Sequence, residues 1–203
     1  KSGQEKCSFG TGQEANFQGD TRLLLSFDTG TYNSTNVFDL SGYGNNGSLE
    51  NGTNCINEYS DFGGDTDYIF INNSEEFNGL SELTFFVLVK PSPDDFVHDR
   101  LLIRKWTDYG LQIKNGIPTF FINSDYTSRD NLVTNISSLL KGNEWNNVVG
   151  TFNYGLGKIY IDGEFKASEN FTPVKTQIST SDVYLGMTGS LSQFGLHEFN
   201  GSM

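Results

Sequence analysis

WNNVVGTFNYGLGKIYIDGEFKA, residues 145–167, decides the fold class. Two runs rich in Val, Ile, Phe and Tyr, Trp145–Asn153 and Lys158–Ile161, flank a Gly-rich turn, and Asp162-Gly163 then turns the chain into Glu164–Ala167. Short β-branched and aromatic runs punctuated by Gly, Asn and Asp read as strands, and Asp-Gly supplies the positive backbone angles of a two-residue hairpin turn. The stretch is therefore a three-stranded antiparallel meander. Trp145 opens its first strand and reads as a structural core residue.

The same pattern extends in both directions. Tyr109–Lys114 and Ile117–Asn123 flank Asn115-Gly116, a second hairpin signal. Upstream lie Leu101–Trp106, Tyr68–Ile71, Arg22–Phe27 and the strongest strand, Leu83–Lys90, which Pro91 and Pro93 stop. Asp182–Met187 and Leu196–Phe199 follow downstream, and the one helix-like stretch, Val133–Leu140, is short enough for a single turn of helix. Strands at this spacing, with no internal repeat, predict an all-β antiparallel β-sandwich. Residues 1–20 are polar and lack a period, so they read as an N-terminal arm, and residues 21–203 read as one domain.

Composition narrows the function. Apolar residues make up 35% of the 203, but 17 Phe and 9 Tyr supply large buried areas. The net charge of −12 repels phosphate backbones, which argues against nucleic acid as a partner and suits divalent cations. The longest apolar run, Phe85–Val89, falls far short of the roughly 20 residues of a membrane span. The chain begins at Lys1, which reads as a processed or excised segment. Cys7 and Cys55 lie too far apart for a zinc spacing. They read as one disulfide of an oxidising compartment, with two unrelated thiols as the alternative. Asn-x-Ser/Thr sequons at Asn33, Asn46, Asn51, Asn72, Asn135, Asn170 and Asn200 favour an extracellular or cell-surface, glycosylated protein.

The order of the signals resembles the laminin-G-like jelly-roll modules of the concanavalin-like superfamily. The resemblance rests on five pieces in sequence. These are Phe27-Asp28 with Phe38–Gly47, then Phe62–Ile69, then Leu83–Pro91, then Trp145–Phe152 with Lys158–Gly163, and last Tyr184–Gly186 with Phe199–Ser202. It covers about Leu23 to Met203 and implies a jelly-roll sandwich. In such modules the sequence after Asn200-Gly201-Ser202 begins a last strand that pairs centrally with the first. Here the chain stops at Met203. The final strand therefore reads as missing, which would leave an open edge beside Arg22–Phe27 for self-assembly.

Modules of this kind often bind calcium around the loops in question. The resemblance implies Asp28 and Asp39 as carboxylate ligands, with Asn45 completing the site. The paired Glu residues with an intervening Asp of the superfamily's glucanases do not occur in the sequence, so an enzyme is not expected. Recognition of a glycan remains, because aromatic faces stack on sugar rings and polar groups match hydroxyls. Trp106, Asp108 and Tyr109, with Tyr126 on a later loop, are the candidate ligand contacts. The sequence thus predicts a non-catalytic binding module for a glycan or a surface protein. A structural subunit of a surface filament, pilus or layer is the alternative, and a carbohydrate-active enzyme stands third.

Overall fold

The computed structural model describes residues 6–9, 13–16, 20–56, 58–63, 66–96, 99–106, 108–122, 132–133, 140–186, 196–197 and 199–203. A small hairpin of β1 (Lys6–Phe9) and β2 (Gln13–Asn16) precedes two large sheets. One sheet has the order β12 (Leu132–Val133), β11 (Ile117–Ile122), β10 (Tyr109–Lys114), β9 (Asp99–Lys105), β16 (Val183–Leu185), β7 (Tyr68–Ile71), β4 (Gly47–Glu50), β3 (Asn36–Val37). The other has the order β15 (Glu164–Asn170), β14 (Leu156–Ile161), β13 (Asn146–Asn153), β8 (Glu82–Pro91), β18 (Asn200–Ser202), β6 (Tyr59–Gly63), β5 (Asn54–Ile56). The expected antiparallel β-sandwich is present, and a parallel pairing of β17 (Leu196–His197) with β9 is its exception.

Alternation explains the packing. Along β13, Asn146, Val148, Gly150 and Phe152 are buried, while Asn147, Val149 and Thr151 between them are half-exposed. Its ladder with β8 pairs every residue from Asn146 with Val89 to Asn153 with Glu82. Gly150 faces inward because a Cβ there would stand 2.8 Å from the ring of Phe120 on the opposing sheet. Phe120 in turn meets Phe85 edge-on at 6.1 Å. Rings that cross the gap in this way fill the core with few residues.

Several sequence expectations are corrected. Arg22–Phe27 is not a strand: only Leu25 bridges, to Asp39. Its polar groups go elsewhere. The Leu24 amide donates to Asp39 Oδ1 at 2.9 Å, Leu40 N donates to Leu24 O at 2.9 Å, and Asn45 Nδ2 donates to Arg22 O at 2.9 Å. The segment still packs Leu23, Leu25 and Phe27 on the core. Its backbone is thus satisfied by a loop rather than by a ladder. Asn200–Ser202 is itself a central strand, joined to β6 and β8, and Met203 exchanges backbone hydrogen bonds with Ser60 at 2.8 and 3.0 Å. Val133 belongs to a strand pairing with Phe120, where a helical turn was expected; residues 134–139 lie outside the described residues. Trp145 is 42% exposed rather than core, and lies edge-on to Tyr59 at 6.0 Å.

Of the cysteines expected to form a disulfide, Cys55 is a free thiol, buried on β5, and the Cys7 side chain lies outside the described residues. Burial pushes the Cys55 pKa up to about 11. A raised pKa leaves little thiolate at neutral pH, and the thiolate is the nucleophile. Peptide-resolved iodoacetamide labelling of the native protein at pH 8 should leave Cys55 unmodified. Labelling without reductant in denaturant should modify it fully. Protection that persists in denaturant until a reductant is added would instead mean a disulfide.

Candidate functional site

The outer face of the β3–β12 sheet carries the best-formed cluster. On β7 the residues Ile69 and Ile71 point into the core, which sends Tyr68 and Phe70 outward, half-exposed. On β16 the residues Val183 and Leu185 point inward, which sends Tyr184 outward. The register sets Tyr184 directly across from Phe70. Its ring lies 5.5 Å from Phe70, edge-on, and 5.9 Å from Tyr68, tilted. On the far side β4 sets Ser48 opposite Phe70 and Glu50 opposite Tyr68. Three aromatic rings thus stand on one sheet face, with a hydroxyl and a carboxylate along one border. Burial raises the Tyr184 pKa, and the Asp182 carboxylate adds to the effect, so the phenol stays a neutral donor at physiological pH.

Arg104 continues the row beyond Tyr184, its cross-strand neighbour. It is nearly buried, with its guanidinium 5.0 Å from the Phe121 ring and 5.8 Å from the Trp106 ring, while its Nε donates to the Trp106 carbonyl. Gly110 makes room for this stack: a Cβ there would come within 2.6 Å of Phe121. Trp106 itself is half-buried, with φ of 33° in the turn after β9. It stands at the edge of the row.

Two of the other expected ligand contacts, Asp108 and Tyr109, are buried. Asp108 is 1% exposed and Tyr109 2% exposed, so neither meets a ligand. Asp108 pairs with Lys105, whose ammonium is fully buried. Lys105 Nζ donates to Asp108 Oδ2 at 2.7 Å, to Ser179 Oγ at 2.7 Å and to Asn78 Oδ1 at 3.0 Å. Its three protons are thus used, as a buried ammonium requires. Ser179 Oγ donates to Asp108, and Ser179 N donates to Asn78 Oδ1 at 3.0 Å. The Tyr109 hydroxyl donates to Phe77 O at 2.8 Å. Together these bonds fasten three loops at one end of the sandwich: the turn after Glu75–Phe77, the β9–β10 turn, and the segment before β16. Tyr126 lies outside the described residues.

Of the expected calcium ligands, Asp39 and Asn45 are engaged in hydrogen bonds within the chain. Asp39 Oδ1 accepts from Leu24 N and Ser41 N, each at 2.9 Å. Its Oδ2 accepts from Ser41 Oγ at 2.7 Å and Asn45 N at 2.9 Å. A carboxylate with four donors has no lone pair left for a cation. Asn45 spends its side-chain amide on Arg22 O, and Asp28 is exposed beside Ser26. Among the described residues no group of three His, Cys, Asp or Glu side chains could hold a metal ion. The sequon residues Asn33, Asn46, Asn51, Asn72 and Asn170 are exposed and Asn200 is half-buried, while Asn135 lies outside the described residues. Asn51 Nδ2 donates to Thr66 O at 2.9 Å, which occupies the atom a glycan would use.

Sequence reasoning missed Tyr68, Phe70 and Tyr184. Their signal was the strict alternation of aromatic and aliphatic residues in Tyr68–Ile71 and Val183–Leu185, which separates a solvent face from a core face.

The chain belongs to the concanavalin A-like lectin/glucanases superfamily, whose family model matches residues 62–203. Among solved structures it is similar to the binding domain of botulinum neurotoxin serotype D, with a TM-score of 0.64 and 19% identity over 89% of this chain and 46% of that one. It is similar also to that serotype's ligand binding domain in complex with N-acetylneuraminic acid, with a TM-score of 0.62 and 18% identity over 89% and 46%. A candidate carbohydrate binding protein from Bacteroides ovatus matches with a TM-score of 0.55 and 18% identity over 70% and 40%. The chain spans less than half the length of these proteins, and at such identities the likeness is one of fold. No curated protein matches it in sequence.

The buried ion pair makes a direct prediction. Asp108→Ala strands the Lys105 ammonium without its counter-charge and should lower stability by about 3–5 kcal/mol. The double replacement Lys105→Met/Asp108→Leu should recover most of that loss in urea denaturation. Equal loss in the single and double variants would contradict the role assigned to the pair.

Proposed function

We propose that the chain is a non-catalytic glycan-recognition module of a secreted or cell-surface protein. The observation that carries this reading is the half-exposed row of Phe70, Tyr184 and Tyr68, bordered by Ser48 and Glu50 on a rigid sheet face. The apolar faces of sugar rings stack on such aromatic groups, and the bordering polar groups match hydroxyls. The strand ladder positions the rings before a ligand arrives, so little ordering cost attends binding. The superfamily and the carbohydrate-binding and receptor-binding character of the structural neighbours support the same reading. Their ligands are named for domains more than twice the length of the matched part, so they indicate a class of ligand and not a place on this chain. No helix among the described residues is long and apolar enough to cross a membrane.

Stacking on this face calls only on the aromatic rings and the bordering polar groups, so the reading expects recognition here to be independent of calcium. On a broad glycan array in calcium buffer, the protein should bind a defined set of glycans, and the same set after chelation with EGTA. Binding lost in EGTA would overturn the calcium-independent face. No binding in either buffer would overturn the glycan reading.

A further inference from the structure

The opposite side of the sandwich holds a second concavity that the aromatic row does not use. It is a depression of about 370 Å³ over β8, β13 and β14. That size lies near the lower end of the roughly 300–1,000 Å³ typical of small-ligand sites. Its position follows from the ladder. Thr84 pairs with Thr151, Thr151 pairs with Lys158, and Glu82 pairs with Asn153. Leu83 and Phe152, between them, turn inward to the core. The polar members therefore converge on the outer surface, all of them exposed or half-exposed. Tyr160 closes one side, and its ring is held by Phe165, edge-on at 5.8 Å.

We infer that this depression is a second subsite, which takes a neutral hexose-type sugar unit. The lining fits that chemistry. Thr84 and Thr151 offer hydroxyls that both donate and accept, and Asn153 offers an amide. Glu82 only accepts and Lys158 only donates. A ring hydroxyl can satisfy each of these groups, while the Tyr160 ring offers a face or edge to the sugar's C–H groups. One carboxylate and one ammonium cancel, so nothing in the lining selects a charged ligand. Two subsites on opposite faces make the module bivalent, able to join two glycan chains or two arms of one. The choice of ligand class rests on the proposed glycan reading, but the location does not.

The test is a ¹⁵N-resolved titration of the whole chain with cellohexaose, maltohexaose and mannohexaose, with N-acetylneuraminic acid as the charged comparison. At least one neutral probe should shift the amides of Thr84, Thr151, Lys158 and Tyr160 saturably. Tyr160→Ala and Thr151→Ala should each weaken that response about tenfold or more, about 1.4 kcal/mol, while the rest of the spectrum stays native. Shifts confined to Tyr68, Phe70 and Tyr184 would overturn the second subsite and leave the proposed function standing. Shifts confined to the depression would support the subsite and overturn the aromatic row as the binding face. Shifts at neither place would overturn both, and a preference for N-acetylneuraminic acid in the depression would overturn the neutral ligand class.

Discussion

The pleat of a strand sends neighbouring side chains to opposite faces, and in this molecule that constraint separates core from surface chemistry. Ile69 and Ile71 anchor β7 in the core, which leaves Tyr68 and Phe70 no position but the outside. Val183 and Leu185 impose the same on Tyr184. A slip of one residue in both strands would bury three aromatic rings and expose four aliphatic side chains. The register that stabilises the fold is therefore the register that builds the site. No separate device is needed to place the rings, and their rigidity is that of the sheet.

The ends of the strands are controlled by polar contacts. At one end, the buried Lys105–Asp108 pair gathers Ser179 and Asn78 and holds three loops in fixed relation. Elsewhere the Asp39 carboxylate collects four donors and ties the segment before it to the Gly-rich loop after it. Each works by satisfaction of its polar atoms, and for the buried pair a half-satisfied carboxylate or ammonium would cost more than it contributes. These contacts also use up polar groups that residue type alone would assign to function. An aspartate on a glycine-rich loop suits calcium as well as it suits a loop clamp, and the carboxylate of Asp39 accepts from four donors of its own chain.

The sandwich was readable in the sequence because its strands are short, apolar and bounded by turn residues. Trp145–Ala167 and Tyr109–Asn123 announced their hairpins through Asp-Gly and Asn-Gly, and the structure pairs them so. Arg22–Phe27 misled because its apolar residues do pack on the core, while its backbone bonds to side chains that no local pattern reveals. The site was less readable. Asp108 and Tyr109 sit beside Trp106 in a turn, where polar and aromatic residues commonly meet ligands, yet both are buried by partners more than 30 residues away in sequence: Ser179 for Asp108 and Phe77 for Tyr109. Tyr68, Phe70 and Tyr184 were read as parts of strands, and only the cross-strand register brings them together.

The central claim is that the outward aromatic row binds glycan, and Tyr184 is the ring that touches both others. The most direct measurement is the affinity of Tyr184→Ala, beside the native protein, for the strongest ligand found among arrayed glycans, with unfolding followed on the same samples. The account predicts an affinity lower by about tenfold or more, with the cooperative unfolding of the native fold retained. An unchanged affinity in a folded variant would contradict it.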